Sequence, residues 1–448
     1  MKLFGTDGIR GKAGQAPLDR ETVARVGAAI VKAMKIDGPS GSSATLRFVI
    51  GRDTRESGAW IEEELARGLT NEGANVVSAG VVPTPAVAYL ARTEGFDAGI
   101  VISASHNPYE DNGIKVFGGA GTKLTEQLEA SVERLVHDAA WSVPPAAGTI
   151  DRHDLCAHYV EHLELIMSAA GALRGSRVVI DCANGANSAL APWLFKKLGF
   201  ELTSIGVSPN GRNINLDCGS THLEALAAAV VQSKARLGVA FDGDGDRALF
   251  IDHDGRVVDG DATLLMAAID LKDRGRLPGN AIVATVMSNI GLEIALRERG
   301  IDMIRTAVGD KYVMEEMTRR GLALGGEQSG HIIFSEHLFT GDGLATALNV
   351  LRIMAESGQE LSELAAALVT YPQVLVNVRV REKADYMKVP AIADAVKRVE
   401  HGLAGSGRLL VRYSGTEPLL RIMLEGKDAA EIKQWANQIA TVVRENLA

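Results

Sequence analysis

The run Ile100-Val-Ile-Ser-Ala-Ser-His-Asn-Pro-Tyr109, continued by Glu-Asp-Asn-Gly-Ile-Lys115, decides how the rest of the chain is read. Apolar and small residues over 99–102 predict a buried strand, and the run then breaks into small polar residues and Pro108. A serine at the mouth of such a strand is expected to be exposed and held by rigid neighbours. Ser105 is therefore a candidate nucleophile, with His106 and Lys115 as proton handlers or phosphate contacts. The same residues would also make a turn in which Ser and Asn bond their own backbone.

Outward from this run the pattern repeats. Upstream, a helix is predicted over 22–34, a strand over 47–51 and a helix that starts at Ser57 as N-cap, carries Ile61, Leu65 and Leu69, and stops at Gly73. A strand over 75–80 and a helix over 85–92 lead to the strand that delivers Ser105. A second cycle has strands over 177–182, 200–206 and 237–241 with helices over 188–198 and 223–233. A third has strands over 281–286, 303–307 and 322–326 with helices over 290–299 and 311–319. Strand and helix in alternation imply parallel pairing with right-handed crossovers, and ligands then bind at the carboxyl ends of the strands. The three cycles read as degenerate copies of one unit. After Tyr371-Pro372 the texture changes: residues 374–381 alternate with period two, as a half-solvated antiparallel strand does, and a small α+β unit closes the chain.

Three further polar loops end apolar runs: Asp242-Gly-Asp-Gly-Asp-Arg247, Gly326-Glu-Gln-Ser-Gly-His331 and Arg412-Tyr-Ser-Gly-Thr-Glu-Pro418. In the first, glycines let Asp242, Asp244 and Asp246 turn toward one point, and three hard oxygen donors suit Mg2+. An EF-hand is excluded, because Arg247 stands where its glycine belongs and His253 where its bidentate glutamate belongs. Arg247 follows the cage and is placed to stabilise charge on the same group. Glu327 and Ser329 offer a carboxylate and a hydroxyl, while His331 reads as a packing residue in preference to a proton relay. Arg412, Ser414, Gly415 and Thr416, with Arg421 on the next strand, make a cradle of hydroxyls, backbone N–H groups and guanidinium for an anion. A nucleophile, a metal cage, hydroxyl acceptors and an anion cradle compose a site for a phosphorylated polyol.

In that order, with Leu3-Phe-Gly-Thr-Asp-Gly-Ile-Arg-Gly11 at the start and Ser103-Ala-Ser-His-Asn-Pro108 after it, these loops resemble the alpha-D-phosphohexomutase family over nearly the whole chain. The resemblance implies an α/β fold: three related α/β domains with mixed, mostly parallel sheets (1–153, 154–255 and 256–370) plus a C-terminal α+β domain (371–448) around a central cleft. It implies that Ser105 carries a phosphoryl group and completes the coordination of Mg2+ by Asp242, Asp244 and Asp246. Arg10 becomes a phosphate or phosphoserine contact, although by itself it also reads as a solvated arginine on an N-terminal strand. Glu327 and Ser329 become sugar contacts, and the C-terminal cradle takes the phosphate that does not react. The form Gly326-Glu-Gln-Ser-Gly330 resembles that of the branch acting on glucosamine phosphates. The implied reaction interconverts glucosamine 6-phosphate and glucosamine 1-phosphate, with glucosamine 1,6-bisphosphate or glucose 1,6-bisphosphate as activator and mannose or glucose phosphates as the rival substrates. A homodimer, frequent in the family, is implied as well. From other classes, an aspartyl phosphatase would use Asp242 as nucleophile but expects Thr or Val where Gly245 stands. A non-catalytic sugar-phosphate binder would have no use for Ser105.

Composition sets the outer bounds. A chain of 448 residues is too long for one core. A net charge of -9, with no Lys/Arg-rich run, argues against nucleic acid as partner and makes phosphate binding local. No nucleotide P-loop occurs, since Gly11-Lys12 is followed by Ala13 and Gly426-Lys427 by Asp428. Cys156, Cys182 and Cys218 are odd in number and lack CxxC spacing. With no apolar signal segment and no stretch of ~18 apolar residues, the expectation is a cytoplasmic protein without a membrane partner.

Overall fold

The segment Ala98–Ile102 forms a strand buried along its whole length, as its apolar run predicts. In the computed structural model, which describes residues 2–5, 7–37, 45–145, 148–167, 171–403, 407–414 and 418–447, this strand lies inside a seven-stranded sheet. The order from edge to edge is Phe4–Gly5, Gly8–Lys12, Asp111–Gly118, Ala98–Ile102, Arg47–Arg52, Asn75–Val81 and Asp151–Arg152. The expected parallel pairing holds between Ala98–Ile102, Arg47–Arg52 and Asn75–Val81. Asp111–Gly118 pairs antiparallel with Ala98–Ile102 and sets Lys115 opposite Val101.

Two further sheets repeat this plan. In one, Leu237–Phe241 and Glu201–Ile205 flank Arg177–Asp181 in parallel, and Ala248–Asp252 returns antiparallel to Leu237–Phe241. In the other, Asp302–Thr306 and Leu324–Gly326 flank Ala281–Thr285 in parallel, and Ile332–Phe334 returns antiparallel to Leu324–Gly326. Each polar loop of these sheets is thus the link between a parallel strand and its antiparallel return. The sequence reading placed the loops and the strands before them but not the returns. It also missed the helices Glu126–His137, Cys156–Ile166, Gly260–Asp273 and Gly343–Ser357. Ser57 does precede the helix Gly58–Asn71 but makes no capping bond; its Oγ accepts from Asn112 Nδ2 at 2.8 Å.

The chain divides into two compact units, residues 1–287 with 301–367 and residues 288–300 with 368–448. The first unit holds the three α/β sheets. The second is built on an antiparallel sheet in the order Gln373–Arg379, Leu419–Gly426, Gly407–Tyr413, with Pro390–Leu403 and Ala429–Leu447 packed on the face of Leu420, Ile422 and Leu424. The helix Ile290–Glu298 lies in the third segment by sequence yet joins this second unit. Glu425 accepts from the Ile290 N–H at 3.1 Å, and Asn289 exchanges two bonds of 3.0 Å with Tyr371. Among the described residues no helix is long and apolar enough to cross a membrane.

Candidate active site

Ser105 is buried, not exposed as its place at a strand mouth suggests, and its φ of 53° lies in the left-handed region. Such a conformation costs on the order of 1–3 kcal/mol outside glycine and persists only where neighbours enforce it. Here the enforcement is dense. The Ser105 N–H donates to Ser103 Oγ at 2.9 Å, and Ser103 donates onward to Asp53 at 2.6 Å. The fully buried guanidinium of Arg55 pairs with Asp53 and donates to the carbonyls of Ser105 (2.9 Å), Asn107 (2.9 Å), Asp111 (3.0 Å) and Pro108. Asn215 Nδ2 donates to the Ser105 and Asn107 carbonyls at 2.9 and 3.1 Å. Arg55, Asp53 and Asn215 were not singled out from the sequence. The stretch Arg52-Asp-Thr-Arg55 does follow a parallel strand, which was the available signal.

So held, Ser105 Oγ donates to Asp242 Oδ2 at 2.6 Å. The hydroxyl has one proton and spends it there, so His106 Nδ1, 3.3 Å away, meets Oγ as a donor. Burial, then Arg247 and Arg10, lower the His106 pKa to about 4, and the ring is uncharged at neutral pH. Lys115 Nζ stands 2.8 Å from Asp244, 3.2 Å from Asp246 and 3.0 Å from Asp7. Burial alone would strip its proton, but these carboxylates outweigh burial and hold it well above its ordinary range. Lys115 is thus held as a cation among these three carboxylates. Arg10 donates to the Ala104 carbonyl at 3.2 Å and pairs with Asp7. Asp7, which the sequence reading left out, also binds Lys123 at 2.6 Å, and Lys123 reaches Asp310 at 2.5 Å.

Asp242, Asp244 and Asp246 are buried and can bring one oxygen each within 4.8 Å of one another. Gly245 makes the turn between them at φ 73°, where a Cβ would stand 2.5 Å from Asn187 Nδ2. Burial and the two neighbouring carboxylates push Asp242 well above the usual carboxylate range. Asp244 Oδ1 is buried without a hydrogen-bond partner, and Asp246 Oδ1 has only the long approaches of His331 Nδ1 at 3.5 Å and Arg247 Nε at 3.9 Å. Buried carboxylate oxygens left bare are costly, and three hard oxygens converging on one point fit a divalent cation such as Mg2+. Arg247 Nε stands 3.9 Å from Asp246 and 4.0 Å from Asp242.

A cavity of about 560 Å³ adjoins this cage, lined among others by Arg10, His106, Asp246, Arg247, Asp310 and Glu327. Glu327 Oε1 accepts from the Gly309 N–H at 3.1 Å, and Ser329 Oγ is buried without a partner. Gln328 turns away and donates to Asp259 at 3.1 Å. His331 also lines the cavity. Burial lowers its basicity, but Asp246, Asp310 and Glu327 reverse this and raise its pKa to about 9. Its Nε2 accepts from the Gly341 N–H at 3.0 Å, which keeps the proton on Nδ1, toward Asp246 at 3.5 Å. The Gly341 N–H on Nε2 thus opposes the second ring proton that the surrounding carboxylates favour.

In the second unit, Arg412 and Arg421 are direct cross-strand partners, and Asn377 is the next partner of Arg421. They share the face opposite the helices, and Arg379, unnoticed in the sequence, is two residues beyond Asn377 on that face. Two guanidinium groups thus stand directly opposite one another on this face, an arrangement that destabilises a sheet. Ser414 is buried and its carbonyl accepts from Lys383 at 2.8 Å. Gly415 and Thr416 lie outside the described residues.

A serine bonded to one of three clustered aspartates, at loops repeated on three α/β sheets, is the centre of this candidate site. Family models described as phosphoglucomutase/phosphomannomutase match the chain in succession: alpha/beta/alpha domain I over residues 1–142, domain II over 157–255, domain III over 259–371 and the C-terminal domain over 375–442. The chain belongs to the phosphoglucomutase/phosphomannomutase family and is a mutase. It is 52% identical to the phosphoglucosamine mutase of Solibacter usitatus, with 99% of each chain covered. Among solved structures it is similar to a phosphoglucomutase/phosphomannomutase family protein from Burkholderia thailandensis, at 26% identity and TM-score 0.80, over 100% of this chain and 99% of that one. It shares its fold, at 19% identity and TM-score 0.67 over 99% and 95%, with an Aspergillus fumigatus N-acetylphosphoglucosamine mutase solved with GlcNAc-6P and magnesium.

Proposed function

We propose that the chain is a phosphoglucosamine mutase, interconverting glucosamine 6-phosphate and glucosamine 1-phosphate through phospho-Ser105 and a 1,6-bisphosphate that stays bound. The observation that carries this reading is the 2.6 Å bond from Ser105 Oγ to Asp242, beside a cavity faced by Glu327. The name and 52% identity of the Solibacter relative support the choice of sugar. A sugar hydroxyl oxygen attacks the phosphorus of phospho-Ser105, the bond from phosphorus to Oγ breaks, and the proton lost by the sugar ends on Oγ. The bisphosphate then offers its other phosphate, and the same step runs in reverse. A divalent cation, Mg2+ in this reading, bound by Asp242, Asp244, Asp246 and the serine phosphate supplies Lewis-acid stabilisation of the transferring group. Lys115 and Arg10 supply fixed positive charge, and His106 an N–H donor at Oγ. Arg247 places its guanidinium between cage and cavity. The face of Arg412 and Arg421, with Ser414, Gly415 and Thr416, binds the phosphate that is not reacting.

Selectivity rests on Glu327, whose carboxylate favours a cationic 2-amino group over a hydroxyl; Ser329 binds a neighbouring hydroxyl. A bisphosphate of glucosamine or glucose primes Ser105. A cytoplasmic setting suits the free thiols of Cys156, Cys182 and Cys218, and the working form is a homodimer. The test is kcat/KM for glucosamine, glucose and mannose 1-phosphates at one activator concentration. Preference for glucosamine of at least ~10-fold, about 1.4 kcal/mol, is expected. A preference for glucose or mannose would transfer the chain to the phosphomannomutase and phosphoglucomutase activities.

A further inference from the structure

Three consecutive carbonyls of the aspartate loop are each held by a backbone N–H from a different part of the first unit. Ala186 donates to Gly243 at 2.8 Å, Thr84 to Asp244 at 2.8 Å, and Gly343 to Gly245 at 3.0 Å. Gly343 approaches so closely that a Cβ there would stand 2.4 Å from the Arg247 carbonyl. Of the three donors, Thr84 alone has a side chain able to add a second bond. Its Oγ1 donates to Asp244 Oδ2 at 2.7 Å, so one residue grips both the backbone and the carboxylate of another 160 positions away.

The consequence lies in how the two oxygens of Asp244 divide their work. Oδ2 receives Thr84 Oγ1 at 2.7 Å and Lys115 Nζ at 2.8 Å. Oδ1 is buried and has no partner. Lys115 cannot by itself fix this orientation, because its ammonium is shared among Asp244, Asp246 and Asp7. Thr84 can. It is 1% exposed, begins the helix Thr84–Thr93 directly after Pro83, and is β-branched, so few rotamers are open to it and its hydroxyl is held on Asp244. We propose that Thr84 is a positioning residue for the cation site: its hydroxyl locks the Asp244 carboxylate so that Oδ1, and not Oδ2, is presented to the cation. The residue touches neither substrate nor cation and acts through Asp244. The inference rests on reading the three aspartates as a cation cage.

The test measures Mn2+ binding to the full-length chain by electron paramagnetic resonance of the free ion, without sugar phosphate and with the phosphorylation state of Ser105 checked by intact mass. Thr84→Val removes the hydroxyl at nearly constant volume, and Thr84→Ser keeps it. Supporting groups behind metal ligands typically tune affinity 10–100-fold. The expected result is a dissociation constant at least ~10-fold weaker in Thr84→Val and restored to within ~3-fold of wild type in Thr84→Ser. If Thr84→Val does not fold, Thr84→Ala takes its place with the same expectation. Equal affinity in the variant lacking the hydroxyl overturns the inference and leaves the cage standing. Weakening of Thr84→Ser to the level of Thr84→Val also overturns it, since packing and not the hydroxyl would then be at work. A wild-type chain that binds no Mn2+ removes the cage and the inference together.

Discussion

Ser105 Oγ donates to Asp242 Oδ2 at 2.6 Å across 137 residues of sequence, joining the loop after Ala98–Ile102 to the loop after Leu237–Phe241. A phosphoryl group on that oxygen would enter the aspartate cage directly. Ser105→Ala is therefore expected to abolish turnover and to lack the one added phosphate that intact-mass spectrometry should find on the wild-type chain. Unfolding should change little, because the loop is held through its carbonyls by Arg55 and Asn215 and not through Oγ. Label found on Asp242 as a hydroxylamine-sensitive acyl phosphate would replace the serine mechanism with the aspartyl one.

Arg55 carries the second prediction. Its guanidinium is buried, paired with Asp53 and committed to four carbonyls of the serine loop. Arg55→Met leaves Asp53 without its buried cation and takes one donor from each of the four carbonyls, of which those of Ser105 and Asn107 keep Asn215. Breaking a buried pair in this way costs about 3 to 5 kcal/mol, measurable as a lowered midpoint in denaturant. Loss of less than about 1 kcal/mol would mean that water replaces the guanidinium and that the left-handed turn at Ser105 needs no such support.

How far the sequence shows this site depends on what each residue does there. Ser105, the three aspartates and Glu327 sit where apolar strands end, so strand and loop announce one another. The return strands do not: Asp111–Gly118 opens on Asp-Asn-Gly, which reads as more turn. Helix Gly260–Asp273 is buried on nearly every side, so it has no amphipathic stripe for a periodicity to find. Arg55, Asp7 and Thr84 support the reacting groups from behind, and nothing in their local sequence tells a buried brace from a solvated polar residue. The expected exposure of Ser105 failed for the same reason, since its cover comes from Arg55, Asn215 and Gly243, far away in sequence.

His337 is expected to make stability fall in acid. Burial, followed by His162, Arg276 and Arg352, lowers its pKa to about 4 from an unfolded value of 6.5. Above pH 6.5 the ring is neutral in both states and contributes no pH dependence. Between 6.5 and 4 the unfolded chain takes a proton that the folded chain refuses, so stability falls as pH falls through that window. Over the first unit below 6.5 the loss is about 1.4 kcal/mol. His337→Gln, whose amide oxygen can still accept from Asn349, should flatten the decline in unfolding midpoint between pH 7.5 and 5.5 by about that amount. Parallel declines in the two proteins would mean that His337 titrates normally when folded.

Arg412 and Arg421 face one another across adjacent strands, and the geometry bears differently on stability and on binding. In the free protein their repulsion, roughly 0.2 to 1 kcal/mol, opposes the other interactions of Arg421, so Arg421→Ala should change the unfolding midpoint little. If, as proposed, the pair binds the phosphate that does not react, each guanidinium makes a charge-assisted contact worth on the order of 1.5 to 3 kcal/mol. That phosphate is held alike in ground and transition states, so the loss should appear as KM raised roughly 10-fold or more with kcat little changed. Arg412→Ala should behave in the same way, and the double variant should lose less than the sum if one phosphate serves both residues. A fall in kcat at unchanged KM would instead assign the pair to the reacting phosphoryl group, and the anion face of the second unit would then belong to the chemistry and not to recognition.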